Sequence, residues 1–546
     1  MKFIYLLCFV LPILGEFVLS PAIGSHMVLQ RAPNHASIYG STDVDDTVTV
    51  TFKDEEIVAK IEENGLWRAL LPAVEADNVE YKIKVASKKF NKEIVLEDIV
   101  FGDVWLCSGQ SNMEMTVGMS FNAEKTFQES LLYPNIRLFS ISHNEQDTDC
   151  WDDVTTQIVQ LPWSRASPEA LGKTSSDWSH FSATCWYYGL HLHKSINVPV
   201  GLIATSWGGT NVEAWSAPSV YTEECPQNNG FEDMSINPDS SFFSSLKGPN
   251  ENHSSLWNGM LHPFIRTTIK GAIWYQGEAN EGNVGNREKK SGYACRFPAM
   301  IASWRQYFSQ LEGTTDPNFP FGFVSITPWC EGSCDPANQK PDTFYGPAEI
   351  RWAQQANYVT VPNPSMPNVF MAMDYDLEDI MIPAPPAGQI HPRNKNSVGE
   401  RLALAAYKQV YGAKVTHTGP VLESCVKSNN TITIYFDKEQ LNGEFIDIKQ
   451  TYGYDVEIDN NNQWYSVPIL RVADENAITI DTSSIQSKIT GVRYAWRNSP
   501  CCPLLRANSN KVSCLEKSCA VYSSLSDLPA VPFTVKIADD KCVIPQ

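Results

Sequence analysis

Asp103-Val-Trp-Leu-Cys-Ser-Gly-Gln-Ser-Asn-Met-Glu114 is the stretch on which the fold turns. Val104 to Cys107 is a short uncharged apolar run, the mark of a buried strand. The strand is expected to end at Cys107, where Gly109 permits a sharp turn. Ser111 then falls at the start of a helix, beside backbone N–H groups that the helix does not use internally. Such a turn presents a hydroxyl at the edge of a sheet. A lone Ser–Gly turn is more often only a turn, so the rest of the chain has to decide.

Working outward, further apolar runs have the same character. They are Val200-Gly-Leu-Ile-Ala, Ala272-Ile-Trp-Tyr, Phe321-Gly-Phe-Val-Ser-Ile and Val369-Phe-Met-Ala-Met. Helical patterns lie between them: Thr184 to Ile196, a face of Met300, Ile301, Trp304 and Phe308, and Ser397 to Tyr411. Strand–helix alternation over 101–412 predicts an α/β domain with a mainly parallel sheet flanked by helices. Residues 16–100 alternate instead, as in Thr47-Val-Thr-Val-Thr-Phe and Tyr81-Lys-Ile-Lys-Val. Strands return over 413–546, as in Thr431-Ile-Thr-Ile-Tyr-Phe and Ala477-Ile-Thr-Ile. Both ends therefore read as β-sandwich-like domains.

Residues 1–15 place one lysine before an apolar run and end in Gly15, the pattern of a secretory signal peptide. No later run is long and apolar enough to span a membrane, so a soluble mature protein is expected. The 546 residues carry 42 Lys+Arg against 62 Asp+Glu, a net charge of -20, which repels phosphate backbones and argues against nucleic acid as a partner. Fourteen cysteines in a secreted chain predict disulfides. Cys330 and Cys334 could close a small loop, and Cys501, Cys502, Cys514, Cys519 and Cys542 suggest local stapling. Loss of Cys8 with the signal peptide leaves an odd number, hence at least one thiol outside a pair. Asn252 and Asn429 head glycosylation sequons. No dinucleotide or phosphate-binding motif is present, so no cofactor is expected, and no spacing suggests a metal.

In an open α/β sheet the site gathers at the carboxyl ends of strands. Four segments meet that rule. They carry Ser111, then Gly208 and Gly209 in Ala204-Thr-Ser-Trp-Gly-Gly-Thr, then Gln276 in Trp274-Tyr-Gln-Gly-Glu-Ala-Asn, and His391 in Gln389-Ile-His-Pro. A serine, glycine N–H groups, an amide and an imidazole supply a nucleophile, oxyanion donors and a base. Glu278 and Asn280 read as residues that fix the loop.

Gly-Gln-Ser-Asn-Met at 109–113, Trp-Gly-Gly-Thr at 207–210, Trp-Tyr-Gln-Gly-Glu-Ala-Asn at 274–280 and Ile-His-Pro-Arg-Asn-Lys at 390–395 occur in that order. Together they resemble the sialate O-acetylesterases of the SGNH hydrolase superfamily. Met27-Val-Leu-Gln-Arg and the C-terminal β region share the likeness, which covers nearly the whole mature chain. The resemblance implies an SGNH-type fold and hydrolysis of acetyl esters on sialic acid, in lysosomes or outside the cell. It makes Ser111 the nucleophile and His391 the base. The oxyanion donors it implies are the Ser111 N–H, Gly208 or Gly209, and the Gln276 amide.

One departure stands out. The superfamily places an Asp three residues before its histidine, where this chain has Gly388. Either Asp376 or Asp379 loops back as the third member, or a backbone carbonyl orients His391 in a Ser–His dyad. The dyad is preferred. Two other functions fit the residues: an acetylesterase for other carbohydrates such as acetylxylan, and a secreted carbohydrate-binding glycoprotein with a vestigial site.

Overall fold

One strand, Lys92–Gly109, runs for 18 residues straight through the boundary expected at residue 100. In the computed structural model, which describes residues 16–147, 150–173, 177–225, 253–328, 346–379, 388–501 and 519–545, this strand organises the N-terminal half. Its first part pairs antiparallel with Tyr81–Ser87. At Val100–Gly102 it pairs parallel with Val28–Gln30. From Asp103 to Gly109 it pairs parallel with Val200–Ser206.

The change of partner falls at a bulge. The pairing register shifts between Tyr81 and Ile83, and Asp98 takes φ 56°, a left-handed conformation that Asp tolerates better than most residues. Its carboxylate accepts from Arg137 at 2.6 and 3.0 Å and from Arg165 Nε at 2.8 Å, and it meets His26 Nδ1 at 2.6 Å. Burial opposes its ionisation, but these partners prevail and hold the carboxyl well below the usual range. From Ile99 onward every residue of the strand is buried, because both faces are covered. Val48–Phe52 alternates instead, as a strand with one covered face does.

The motif Met27-Val-Leu-Gln-Arg acquires a structural meaning here. Gln30 Oε1 accepts from the Val104 N–H at 3.0 Å, and Arg31 forms a two-pronged pair with buried Asp103 at 2.8 and 2.9 Å. Both lock the N-terminal segment onto the long strand.

The described residues within 1–222, 239–274 and 299–321 form one compact unit, and those within 223–238, 275–298 and 322–546 form a second. The first unit orders its strands as Val159–Arg165, Ile136–Ile141, Val200–Ser206, the long strand, then Gly271–Tyr275. Helix Ala183–Ile196 packs on Val200–Ser206, and its Cys185 is disulfide-bonded to Cys107. The second unit carries strand Val369–Met373, helix Lys395–Gln409 packed on it, and a nine-stranded antiparallel sheet.

The expected mainly parallel sheet is seen only in part. Among the described residues most strand pairs are antiparallel, and parallel pairs include those of Ile136–Ile141 with Val200–Ser206, Val200–Ser206 with Lys92–Gly109, and Val28–Gln30 with Lys92–Gly109. The strand expected to stop at Cys107 continues to Gly109. The C-terminal cysteines are stapled locally at Cys501–Cys519, but Cys542 reaches back to Cys425, whose strand lies beside its own. Cys225–Cys295 is a further bond, and buried Cys150 donates its thiol to Asn258. Residues 1–15, Asn252, Cys330, Cys334, Cys502 and Cys514 lie outside the described residues. Asn429 is exposed in the tight turn between Leu422–Ser428 and Thr431–Phe436. Seven of the tryptophans are among the largest fully buried side chains, so much of the aromatic content is core.

Candidate active site

The Ser111 turn is built from main-chain constraints. Gly109 ends the long strand at φ 140°, a conformation that excludes most side chains. Gln110 is extended, and Ser111–Glu114 then makes one helical turn, closed by Met115 N–H to Ser111 O at 2.8 Å. The N-terminal end of the Ala183–Ile196 helix braces it: Ala183 N–H donates to Met115 O and Thr184 Oγ1 to Asn112 O.

The Trp207-Gly208-Gly209 turn lies against this one. Trp207 N–H donates to Gly109 O at 3.0 Å. A Cβ at Gly208 would sit 3.1 Å from Ser111 Cβ and 3.2 Å from Glu114 Oε2, so a side chain there would press on both and have to push them back. Gly209 follows at φ 72°. The structure thus brings Ser111, Gly208 and Gly209 together. It also shows where the Gly208 N–H goes: to Glu114 Oε2 at 2.6 Å. The other oxygen of Glu114 meets His143 Nε2 at 2.7 Å, and His143 stacks on Trp207 with ring centres 4.2 Å apart.

Gln276 and His391 belong to the second unit. Gln276 is fully buried at the end of Gly271–Tyr275. Its Nε2 donates to Asn280 Oδ1 at 2.7 Å, and its Oε1 accepts from Tyr293 OH at 3.0 Å. Asn280 therefore fixes the amide. His391 is buried, its N–H donating to Gly388 O at 3.1 Å.

Of the two carboxylates considered for the triad, Asp376 forms a two-pronged pair with Arg401 at 2.6 and 2.9 Å. Asp379 does the same with Arg393, at 2.7 and 2.9 Å, and also accepts the Arg393 N–H at 3.1 Å. Asp379 is thereby tied to the His-Pro-Arg segment and Asp376 to the helix behind it.

Sequence reasoning passed over two groups here. Asp374, at the end of strand Val369–Met373, is fully buried and accepts from Tyr275 OH and Thr327 Oγ1. Burial pushes its carboxyl up to about 6, against the pull of Lys395. Lys395 is fully buried too, and burial brings its ammonium down to about 8 while Asp374, Glu278 and Asp379 oppose the shift. Its Nζ lies 4.9 Å from the Tyr275 ring centre. Asp374 follows the same strand-end rule that found Ser111. Lys395 stands inside a motif already singled out, yet nothing in its spacing announced that it is buried.

The comparisons with known proteins give the class of chemistry. Residues 101–327 match the family described as carbohydrate esterase, sialic acid-specific acetylesterase. A carbohydrate acetylesterase from Xanthomonas citri of known crystal structure shares the fold. Its TM-score is 0.72 at 22% identity, covering 95% of this chain and 99% of that one. The molecule is in the class of carbohydrate esterases, a group of carboxylic ester hydrolases. Residues 423–537 match the sialate O-acetylesterase C-terminal domain. The sialate O-acetylesterase of Rattus norvegicus is 36% identical over 94% of this chain and 93% of its own. That of Homo sapiens is 34% identical over 95% and 92%. The chain belongs to the sialate O-acetylesterase family.

Proposed function

We propose that the protein is a serine esterase that removes O-acetyl groups from sialic acids and releases acetate. The observation that carries this is the likeness to sialate O-acetylesterases along nearly the whole chain, with Ser111 on a braced strand-end turn. Ser111 Oγ attacks the acetyl carbonyl carbon while His391 takes its proton. The bond from that carbon to the sugar oxygen then breaks, and the oxygen leaves with the proton from His391. Water, deprotonated by the same histidine, releases acetate from the acetyl-serine.

The oxyanion donors in this proposal are the Ser111 N–H, the Gln276 amide and a glycine N–H. Because the Gly208 N–H is given to Glu114, the glycine donor is assigned to Gly209. The Ser–His dyad is retained, with Asp379 serving as a strut through Arg393. The α/β core is assigned to the SGNH type, supported by the parallel pairing of Val200–Ser206 with the long strand. The three-domain plan, bounded near 100 and 412, is supported by family matches over 101–327 and 423–537. Secretion or lysosomal residence is supported by the disulfides. Among the described residues no helix is long and apolar enough to cross a membrane.

Acetate release from 9-O-acetylated and 4-O-acetylated sialic acid and from acetylated xylan tests the substrate. The sialate esters should be turned over faster than xylan. Ser111→Ala should lose at least roughly 10³ in kcat with folding intact. Faster release from xylan would transfer the assignment to the broader carbohydrate esterases. No release from any of them, with Ser111 unreactive to an organophosphonate, would leave the carbohydrate-binding alternative.

A further inference from the structure

A cleft of about 440 Å³ opens in the first unit, lined in part by Glu114, the residue that accepts the Gly208 N–H. It adjoins the nucleophile through that residue, since Glu114 is three positions from Ser111 and Gly208 packs against both. The volume is in the range of pockets that take a whole small ligand, and far larger than a two-carbon acyl group needs.

The lining gives the chemistry of the occupant. Ser140, Ser142, Gln160, Ser179 and Ser206 bring hydroxyl and amide groups. Several are already aligned by internal bonds: Ser142 Oγ donates to Ile158 O at 3.2 Å, and Gln160 Nε2 to Ser179 O at 2.5 Å. A serine hydroxyl that donates inward still offers lone pairs outward, so the wall accepts hydrogen bonds from a ligand's hydroxyls. Trp178 and the His143 ring add flat surfaces of the kind that pack on a sugar's C–H groups. The ionisable residues of the lining are Glu114, Asp177, His143 and His180, with no lysine or arginine among them. Two carboxylates and no permanent cation make a poor seat for an anion.

We propose that this cleft is the subsite for the polyhydroxyl side chain of the sialic acid, with the sugar's carboxylate held elsewhere. The proposal rests on the function assigned above and adds which end of the substrate the first unit grips. Glu114 then joins two tasks, fixing the Gly208 turn through one oxygen and orienting the His143 wall of the subsite through the other.

Gln160→Leu and Trp178→Ala test it, because neither residue is part of the Ser111 turn. Each should lower kcat/KM for 9-O-acetylated sialic acid about tenfold relative to kcat/KM for 4-nitrophenyl acetate, the loss of a hydrogen bond or a ring contact. The change should appear in KM. A ratio within twofold of wild type for both variants, or equal losses on both esters, overturns the subsite. Saturation-transfer NMR with N-acetylneuraminic acid on the Ser111→Ala protein separates this from the functional assignment. Transfer strongest at the side-chain protons and lost in Gln160→Leu supports the subsite even where the wild type does not hydrolyse the sialate ester. Transfer strongest elsewhere on the sugar, or none at all, overturns it. Absence of sialate hydrolysis by the wild type overturns the functional assignment instead.

Discussion

Around Ser111 the restraints are main-chain hydrogen bonds, two glycine turns and the Cys107–Cys185 disulfide. Around His391 they are buried ion pairs, Asp379 with Arg393 and Asp376 with Arg401, and the buried carboxyl of Asp374 near Lys395. Backbone geometry is indifferent to pH, and it fails by steric intrusion. Buried charge is strongly dependent on pH, and it fails when one partner is removed. The two halves of the proposed machinery should therefore respond to different perturbations.

The largest expected effect would come from the base itself. His391→Ala should lose on the order of 10⁴ or more in kcat, as when a triad histidine is removed, with circular dichroism unchanged. The wild-type rate should fall on acidification, because protonated imidazole cannot accept the serine proton. A variant keeping a tenth of normal activity would remove His391 from the mechanism.

Breaking a buried pair in the histidine region comes next. Asp376→Ala leaves Arg401 buried beside no carboxylate partner at that position, and should cost about 3–5 kcal/mol, read as a drop in urea midpoint. A loss below about 1 kcal/mol would show that buried charge does not hold this region.

Asp374 sharpens the contrast in pH. Its folded carboxyl sits at about 6, above the 3.8 of an unfolded Asp. The folded state thus binds this proton more tightly, and the contribution of Asp374 to stability is full below about pH 4. It should decline by about 3 kcal/mol as pH rises from roughly 4 to 6. Asp374→Asn should abolish that contribution. Parallel melting curves for variant and wild type over this range would refute it.

The smallest effect is expected at Asp379. With both oxygens committed to Arg393, Asp379→Asn should keep kcat within about tenfold. A thousandfold loss with normal folding would make it a third triad member and end the dyad, since amidating a triad aspartate costs roughly 10⁴.

Legibility follows the same division. The strand ends before Ser111, Gly208 and Gln276 are readable because periodicity and turn residues act over a few positions. His391 stands instead before helix Lys395–Gln409, and the described strand preceding it ends at Met373, where Asp374 follows. The strands at Ile136–Ile141 and Val159–Arg165 escaped notice, and so did continuation of one strand across residue 100. That continuation depends on Asp98 turning left-handed under the grip of Arg137 and Arg165, residues 39 and 67 positions away.

By itself the sequence determined the order of elements, the family likeness and the chemical types at each strand end. These are properties of short stretches, where apolar spacing and glycine placement constrain the chain directly. Only the tertiary structure decided that Gly208 gives its N–H to Glu114, that Cys542 pairs with Cys425, and that Asp374 and Lys395 are buried together. The physical reason is that hydrogen bonds, disulfides and electrostatic shifts depend on separation in space and on exclusion of water. Neither quantity is carried by residue type or by spacing along the chain.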